Sequence, residues 1–297
     1  MSTVATPVAT RPAASIRARW LPWIVFLAAG ILVYYRTVSE LAFEWWDNPD
    51  YSHGLLVPFA IGYIVQQKWS EIRALPINWS WSGLVLIALS QAINLVGFVG
   101  AEFFLQRSSL VLFLAGVILF CWGWRHLGNA FFALMLFQLS IPLPQILFNL
   151  VALPLQLIAS SWAEASLQLL HIPVFREGNI LLLPHTTLSV AEACSGIRSL
   201  MSLITVGVLI AYFMPTRLWV RALFVISTVP VAIVANAFRV SGTGVLAHWY
   251  GVSAAQGFFH TFSGWLVFLF AFTFLMAEVT VLVKLFGKDS GEKEAGA

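Results

Sequence analysis

The sequence predicts an all-α, polytopic membrane protein, and three observations carry that reading. Hydrophobic residues make up 60% of the 297 and charged residues only 10%, a balance beyond that of a water-soluble globule. The mean hydropathy is +0.86. The apolar residues also gather in runs near the roughly 20 residues that a helix needs to cross hydrocarbon about 30 Å thick. Backbone in lipid must satisfy its own hydrogen bonds, and these runs are too long and too uniformly apolar for barrel strands, so the spans are helical.

Eight spans follow in chain order: Trp20–Val38, Gly54–Gln67, Gly83–Gly100, Ser108–Trp124, Gly128–Ile141, Ile197–Phe213, Ala222–Val240 and Thr261–Val283. Gly54–Gln67 and Gly128–Ile141 are short for a bilayer, so neighbouring apolar residues extend them. A further apolar stretch, Gln145–Leu170, contains Pro154, Glu164 and several serines.

Charge arbitrates the topology. With the N-terminus cytoplasmic, Arg11, Arg17, Arg19, Lys68, Arg73, Arg125, Arg217, Arg221, Lys284, Lys288 and Lys293 fall inside. Arg36, Arg107, Arg176, Arg198 and Arg239 then fall outside. This is the bias of the positive-inside rule, and it holds only if Gln145–Leu170 makes no net crossing. That stretch is therefore expected as a re-entrant or interfacial helical hairpin on the outer face. Residues 1–19 read as a disordered cytoplasmic arm, 20–286 as a single integral-membrane domain and 287–297 as a cytoplasmic tail. The long first span without a small-residue cleavage site reads as an uncleaved signal anchor. The net charge of +3 is spread over several loops and implies no nucleic-acid partner.

The two cysteines fall on opposite sides of this topology and cannot pair. Cys121, between Phe120 and Trp122, reads as a buried small apolar residue. Cys194 keeps different company: Glu192, Ser195, Gly196 and Arg198 surround it where a span begins. A helix N-terminus offers free amide donors and a positive dipole end, and both favour thiolate over a thiol whose ordinary pKa is near 8.5. A small-residue turn with a cysteine is often structural, so its neighbours decide.

Arg239 ends an apolar segment on the same outer face, where an arginine snorkels, pairs or lines a polar cavity. Asn236, three residues earlier on the same helix face, favours the cavity. His260 precedes the last span on that face, and an imidazole there can take a thiol proton and return it to a leaving amine. A thiol, a guanidinium and an imidazole at three helix mouths therefore suggest acyl transfer. A transporter would want such groups near the midplane in broken, repeated helices. A serine protease using Ser195 is separable by comparing Ser195→Ala with Cys194→Ser. No His-Glu-x-x-His motif is present and no metal or cofactor is implied. A scaffold for polysaccharide export would tolerate loss of the thiol.

Upstream, Asp50-Tyr-Ser-His-Gly54 and the following Leu-Leu-Val-Pro58 lie on the outer face before the second span. With Ala193-Cys-Ser-Gly-Ile-Arg198, Asn236-Ala-Phe-Arg239, and His260 followed by Gly264, the chain from about Asp47 to the last span resembles the exosortase/archaeosortase family of membrane cysteine transpeptidases. The resemblance implies cleavage of a C-terminal Pro-Glu-Pro-like (PEP-CTERM) sorting signal on exported proteins at a bacterial inner membrane. It also implies transfer of the new carboxyl end to an acceptor, with lipid head groups and glycans as candidates, and a link to extracellular polysaccharide and biofilm production. In this chemistry the Cys194 thiolate attacks the scissile carbonyl, Arg239 stabilises the oxyanion, and His260 protonates the departing amine.

Supporting residues have less definite roles. Arg198 either binds a substrate carboxylate or pairs with Glu192. Asp50, Tyr51 and His53 cap the second span, or His53 supplies an alternative imidazole. Between Pro173 and Val190, Val174–Leu183 with its Glu-Gly-Asn turn signal reads as an outer β-hairpin leading into the Cys194 loop, able to dock an extended peptide or to roof the site.

Overall fold

The structure, a computed structural model, describes residues 16–184, 186–190, 196–251 and 258–287, with side chains described from residue 30 onward except 196–199 and 258–263. Helices dominate: α1 (Ile16–Asp47), α2 (Val57–Gln67), α3 (Trp69–Ala74), α4 (Trp81–Val99), α5 (Phe103–Cys121), α6 (Trp124–Leu139), α7 (Gln145–Leu169), α8 (Gly196–Phe213), α9 (Leu218–Tyr250) and α10 (Phe258–Phe286). Among the described residues, five helical segments are long and apolar enough to cross a membrane: Trp81–Val99, Phe103–Cys121, Gln145–Leu169, Leu218–Tyr250 and Gly264–Phe286. Helix α8 contributes a shorter apolar segment, Leu200–Phe213.

Several boundaries differ from the sequence reading. The second expected span is only the 11-residue α2, entered through a 3-10 turn, Ser52–Leu56. Gly54 is buried there against the Trp45 indole, leaving no room for a β-carbon. Its Pro58 sits in the first helical turn, where a missing N–H costs nothing. Conversely, α9 runs 33 residues, about 50 Å at 1.5 Å per residue, and outreaches the hydrocarbon.

The stretch expected as a helical hairpin is one continuous helix, α7, with Pro154 inside it. A Schellman motif stops it: His171 adopts φ 59°, its N–H reaches Gln168 O at 2.9 Å, and the Ile172 N–H reaches Leu167 O at 3.0 Å. Ile172 and Leu167 are buried in one cluster, the apolar contact that accompanies this cap.

The expected hairpin is the first part of a three-stranded antiparallel sheet, β1 (Phe175–Glu177), β2 (Ile180–Leu183) and β3 (Thr186–Ser189), in the order β1-β2-β3. Gly178 at φ 63° makes the first turn, with Glu177 paired to Ile180 across a two-residue loop. Leu181, Leu183, Leu188 and Val190 from the sheet region join Ala159, Ala163 and Leu167 of α7 and Val240 and Ala247 of α9 in one core. Ser160 Oγ donates to Gly178 O, Arg176 pairs with Glu164 at 2.8 Å, and Asn179 donates to Gln156.

Helices α8, α9 and α10 share a second core around Leu203, Phe224 and Leu275. Contacts along the bundle sort the helix ends into two groups. Trp45 donates to Ser140 O, and Arg107 pairs with Glu44 at 2.6 Å. These contacts lie at the end where α1 finishes and α5 starts. At the opposite end, Lys68 meets Tyr212 and Trp219 meets Phe286.

Candidate active site

Arg239 is the best-defined residue of the expected site. It is 7% exposed, and Asn236, one turn earlier, is 5% exposed. Burial of an arginine in an apolar helix is costly unless other groups enclose it, so surface snorkelling is excluded. Asn236 Oδ1 has no hydrogen-bond partner among the described residues. Asn236 also lines a small cavity with Leu155 of α7, Leu200 of α8, and Ala232 and Ile233 of α9. Three helices thus converge on one polar atom beside the arginine.

Helix α10 supplies the other wall. A β-carbon at Gly264 would lie 3.1 Å from Arg239 Nη2 and 3.2 Å from its Cζ, so the guanidinium rests against bare backbone. Position 260 is four residues earlier in α10, on the same helical face and about 6 Å along the axis. Position 198 lies in the first turn of α8, which packs beside α9. Cys194, Glu192 and Ser195 lie outside the described residues, as do the side chains of Arg198 and His260.

His53 is brought against α8. Its Nδ1 lies 3.3 Å from Ser202 Oγ of α8, eight residues beyond Cys194 in the chain. Its Nε2 is buried with no partner among the described residues. Burial pushes the imidazole below its ordinary pKa, opposed by a hydrogen bond with the Asp50 backbone, and neutral imidazole is the form that accepts a proton. Ser202 was not singled out from sequence. The available signal was its spacing, one helical turn beyond Arg198.

Tyr51 is 8% exposed and packs with Leu41, Trp45 and Ile141. Burial pushes its hydroxyl above the ordinary range, with a backbone hydrogen bond at Leu143 acting against the shift. Asp50 donates its backbone N–H to Asn48 Oδ1 at 3.0 Å, the turn expected from Asn-Pro-Asp. These residues pack beside the turn that carries His53. Cys121 is half-buried at the end of α5 with a free thiol. Among the described residues, no group of three His, Cys, Asp or Glu is assembled that could hold a metal.

Residues 45–277 match the transmembrane exosortase family. The chain belongs to that family. The match spans every expected site residue, from Asp50 to His260, and an exosortase is a membrane transpeptidase with a protein-sorting role. No curated protein and no solved structure matches the chain.

Proposed function

We propose that this exosortase is a cysteine transpeptidase whose catalytic residues are Cys194, Arg239 and His260. The observation that carries the reading is the contact of Arg239 with the backbone of α10 at Gly264, one turn from position 260. It supports a guanidinium held against the helix that carries position 260.

The Cys194 thiolate attacks the scissile carbonyl, and the guanidinium of Arg239 stabilises the oxyanion in a low-dielectric setting, where a fixed cation is worth most. The C–N bond breaks as His260 gives its proton to the leaving amine, leaving a thioester on Cys194. An acceptor amine or hydroxyl then attacks, loses its proton to the imidazole, and releases the thiolate. Arg198 receives an acidic side chain of the sorting signal, with Glu192 and Ser195 as supporting residues.

The substrates are exported proteins with a C-terminal Pro-Glu-Pro-like signal followed by a transmembrane helix and a basic cluster. The acceptor is a lipid or a glycan, in keeping with extracellular polysaccharide production. In the proposed topology the chain sits in a bacterial inner membrane with eight spans, both termini cytoplasmic and the site on the outer face. Leu143 beside Tyr51, Leu155 beside Asn236 and Leu167 against Gly244 set α7 along the outer part of α9. That course supports a helix that leaves the outer face to carry the sheet without a net crossing.

Hydroxylamine cleaves thioesters, so adding it to membranes making protein and substrate together tests the intermediate. A substrate ending in a hydroxamate is the expected product. Unmodified processing with no hydroxamate would contradict the acyl-enzyme.

A further inference from the structure

At the bundle end opposite the candidate site, α2, α3, α5 and α6 enclose a groove of about 520 Å³. That volume falls in the range of roughly 300–1,000 Å³ common to small-molecule sites. Ile64, Ile118 and Ala133 form its apolar floor, and Lys68 and Arg73 stand among its walls. Gly123, at φ 91°, abuts Asn78, whose N–H donates to Trp122 O at 3.2 Å. The loop after α3 is therefore clamped to the turn between α5 and α6, which holds the groove open.

Both cations sit on aromatic faces. Lys68 Nζ is 5.4 Å from the Tyr212 ring and the Arg73 guanidinium 4.5 Å from that of Trp69. Among the described residues neither has a carboxylate within ion-pairing distance. Glu71, between them in sequence, is exposed and does not line the groove. Trp69, Trp79, Trp81, Trp122 and Trp124 are exposed around this end, and such rings settle at headgroup depth. The groove thus joins an apolar trough to two cations at the level where lipid phosphates lie.

The geometry points to a binding site for an anionic phospholipid, with one acyl chain along Ile64, Ile118 and Ala133 and the headgroup phosphate between Lys68 and Arg73. A zwitterionic lipid offers the same tail but carries its own cation, so charge sets the preference. A free phosphate lacks the tail that the trough receives. The planar fork of Arg73 suits a phosphate in particular.

Native mass spectrometry of the purified full chain, offered phosphatidylglycerol and phosphatidylcholine with identical acyl chains, tests this site. Wild type should retain phosphatidylglycerol with a preference of roughly thirtyfold, as two cations near a headgroup predict. The Lys68→Gln/Arg73→Gln variant should lose the preference, the charge-preserving Lys68→Arg/Arg73→Lys variant should keep it, and Ala133→Phe should lower retention of both lipids. No preference in wild type, or one that survives Lys68→Gln/Arg73→Gln, overturns the proposal. So does displacement of the lipid by glycerol 3-phosphate, which would mark a small-anion site instead.

Discussion

Gly264 lies against the guanidinium of Arg239, so close that a β-carbon there would sit 3.1 Å from Nη2. The pair joins α9 to α10 at the point where the proposed oxyanion cation and imidazole must share a substrate carbonyl. Gly264→Ala should push the guanidinium aside by a few tenths of an ångström and lower processing about tenfold, and Gly264→Val on the order of 10²-fold, the cost of a displacement near 1 Å. The ratio of processed to unprocessed substrate at equal enzyme level measures both.

Arg239→Ala removes the oxyanion cation and should lower the rate on the order of 10²–10³-fold. Arg239→Lys should recover little, because an ammonium cannot reproduce the planar fork held against α10. Single-turnover processing in membranes distinguishes these variants, and full activity in Arg239→Lys would show that charge alone suffices.

His53 makes stability depend on pH. Its folded pKa lies below the ordinary 6.5, so between the two values the unfolded chain binds more protons and stability rises with pH. The contribution is intact above pH 6.5 and is lost as the pH falls below it. Thermal unfolding in detergent at pH 7.5 and 5.5 should show a drop on acidification that is smaller in His53→Gln. Processing by His53→Ala against His260→Ala separates the two imidazoles: activity kept in the first and lost in the second supports His260 as the proton donor.

Arg107 and Glu44 form an ion pair whose arginine side chain is 7% exposed and whose carboxylate is 29% exposed. Glu44→Gln should destabilise the protein by about 2–3 kcal/mol, below the full cost of orphaning a wholly buried charge. The Arg107→Met/Glu44→Leu double variant should recover part of that loss, and chemical denaturation in detergent reads both.

The fold was legible where side-chain chemistry is local. The Asn-Pro-Asp turn and the Gly178 turn formed where sequence placed them, and α4 lies within two residues of its expected span, whereas α5 starts five residues earlier than expected. What escaped depended on partners distant in the chain. The polar residues of α7 suggested a broken hairpin, but Ser160, Gln156 and Glu164 are satisfied by the sheet tip, so the helix continues through Pro154. The same three contacts make the tip a structural tether, and deleting Arg176–Asn179 would unseat it from α7. At the site, Arg239 and Asn236 were legible as polar groups on one face of an apolar helix. The approach of Ser202 to His53 was not, because 149 residues separate them.

Everything in the proposed chemistry turns on Cys194 as the nucleophile. The most direct measurement coexpresses the protein with a tagged substrate bearing a C-terminal Pro-Glu-Pro signal and follows the substrate's size and C-terminal mass in wild type and Cys194→Ala. Wild type should process the substrate and add an acceptor mass, and a Cys194→Ala protein still folded in the membrane should do neither. Unchanged processing by Cys194→Ala would contradict that role.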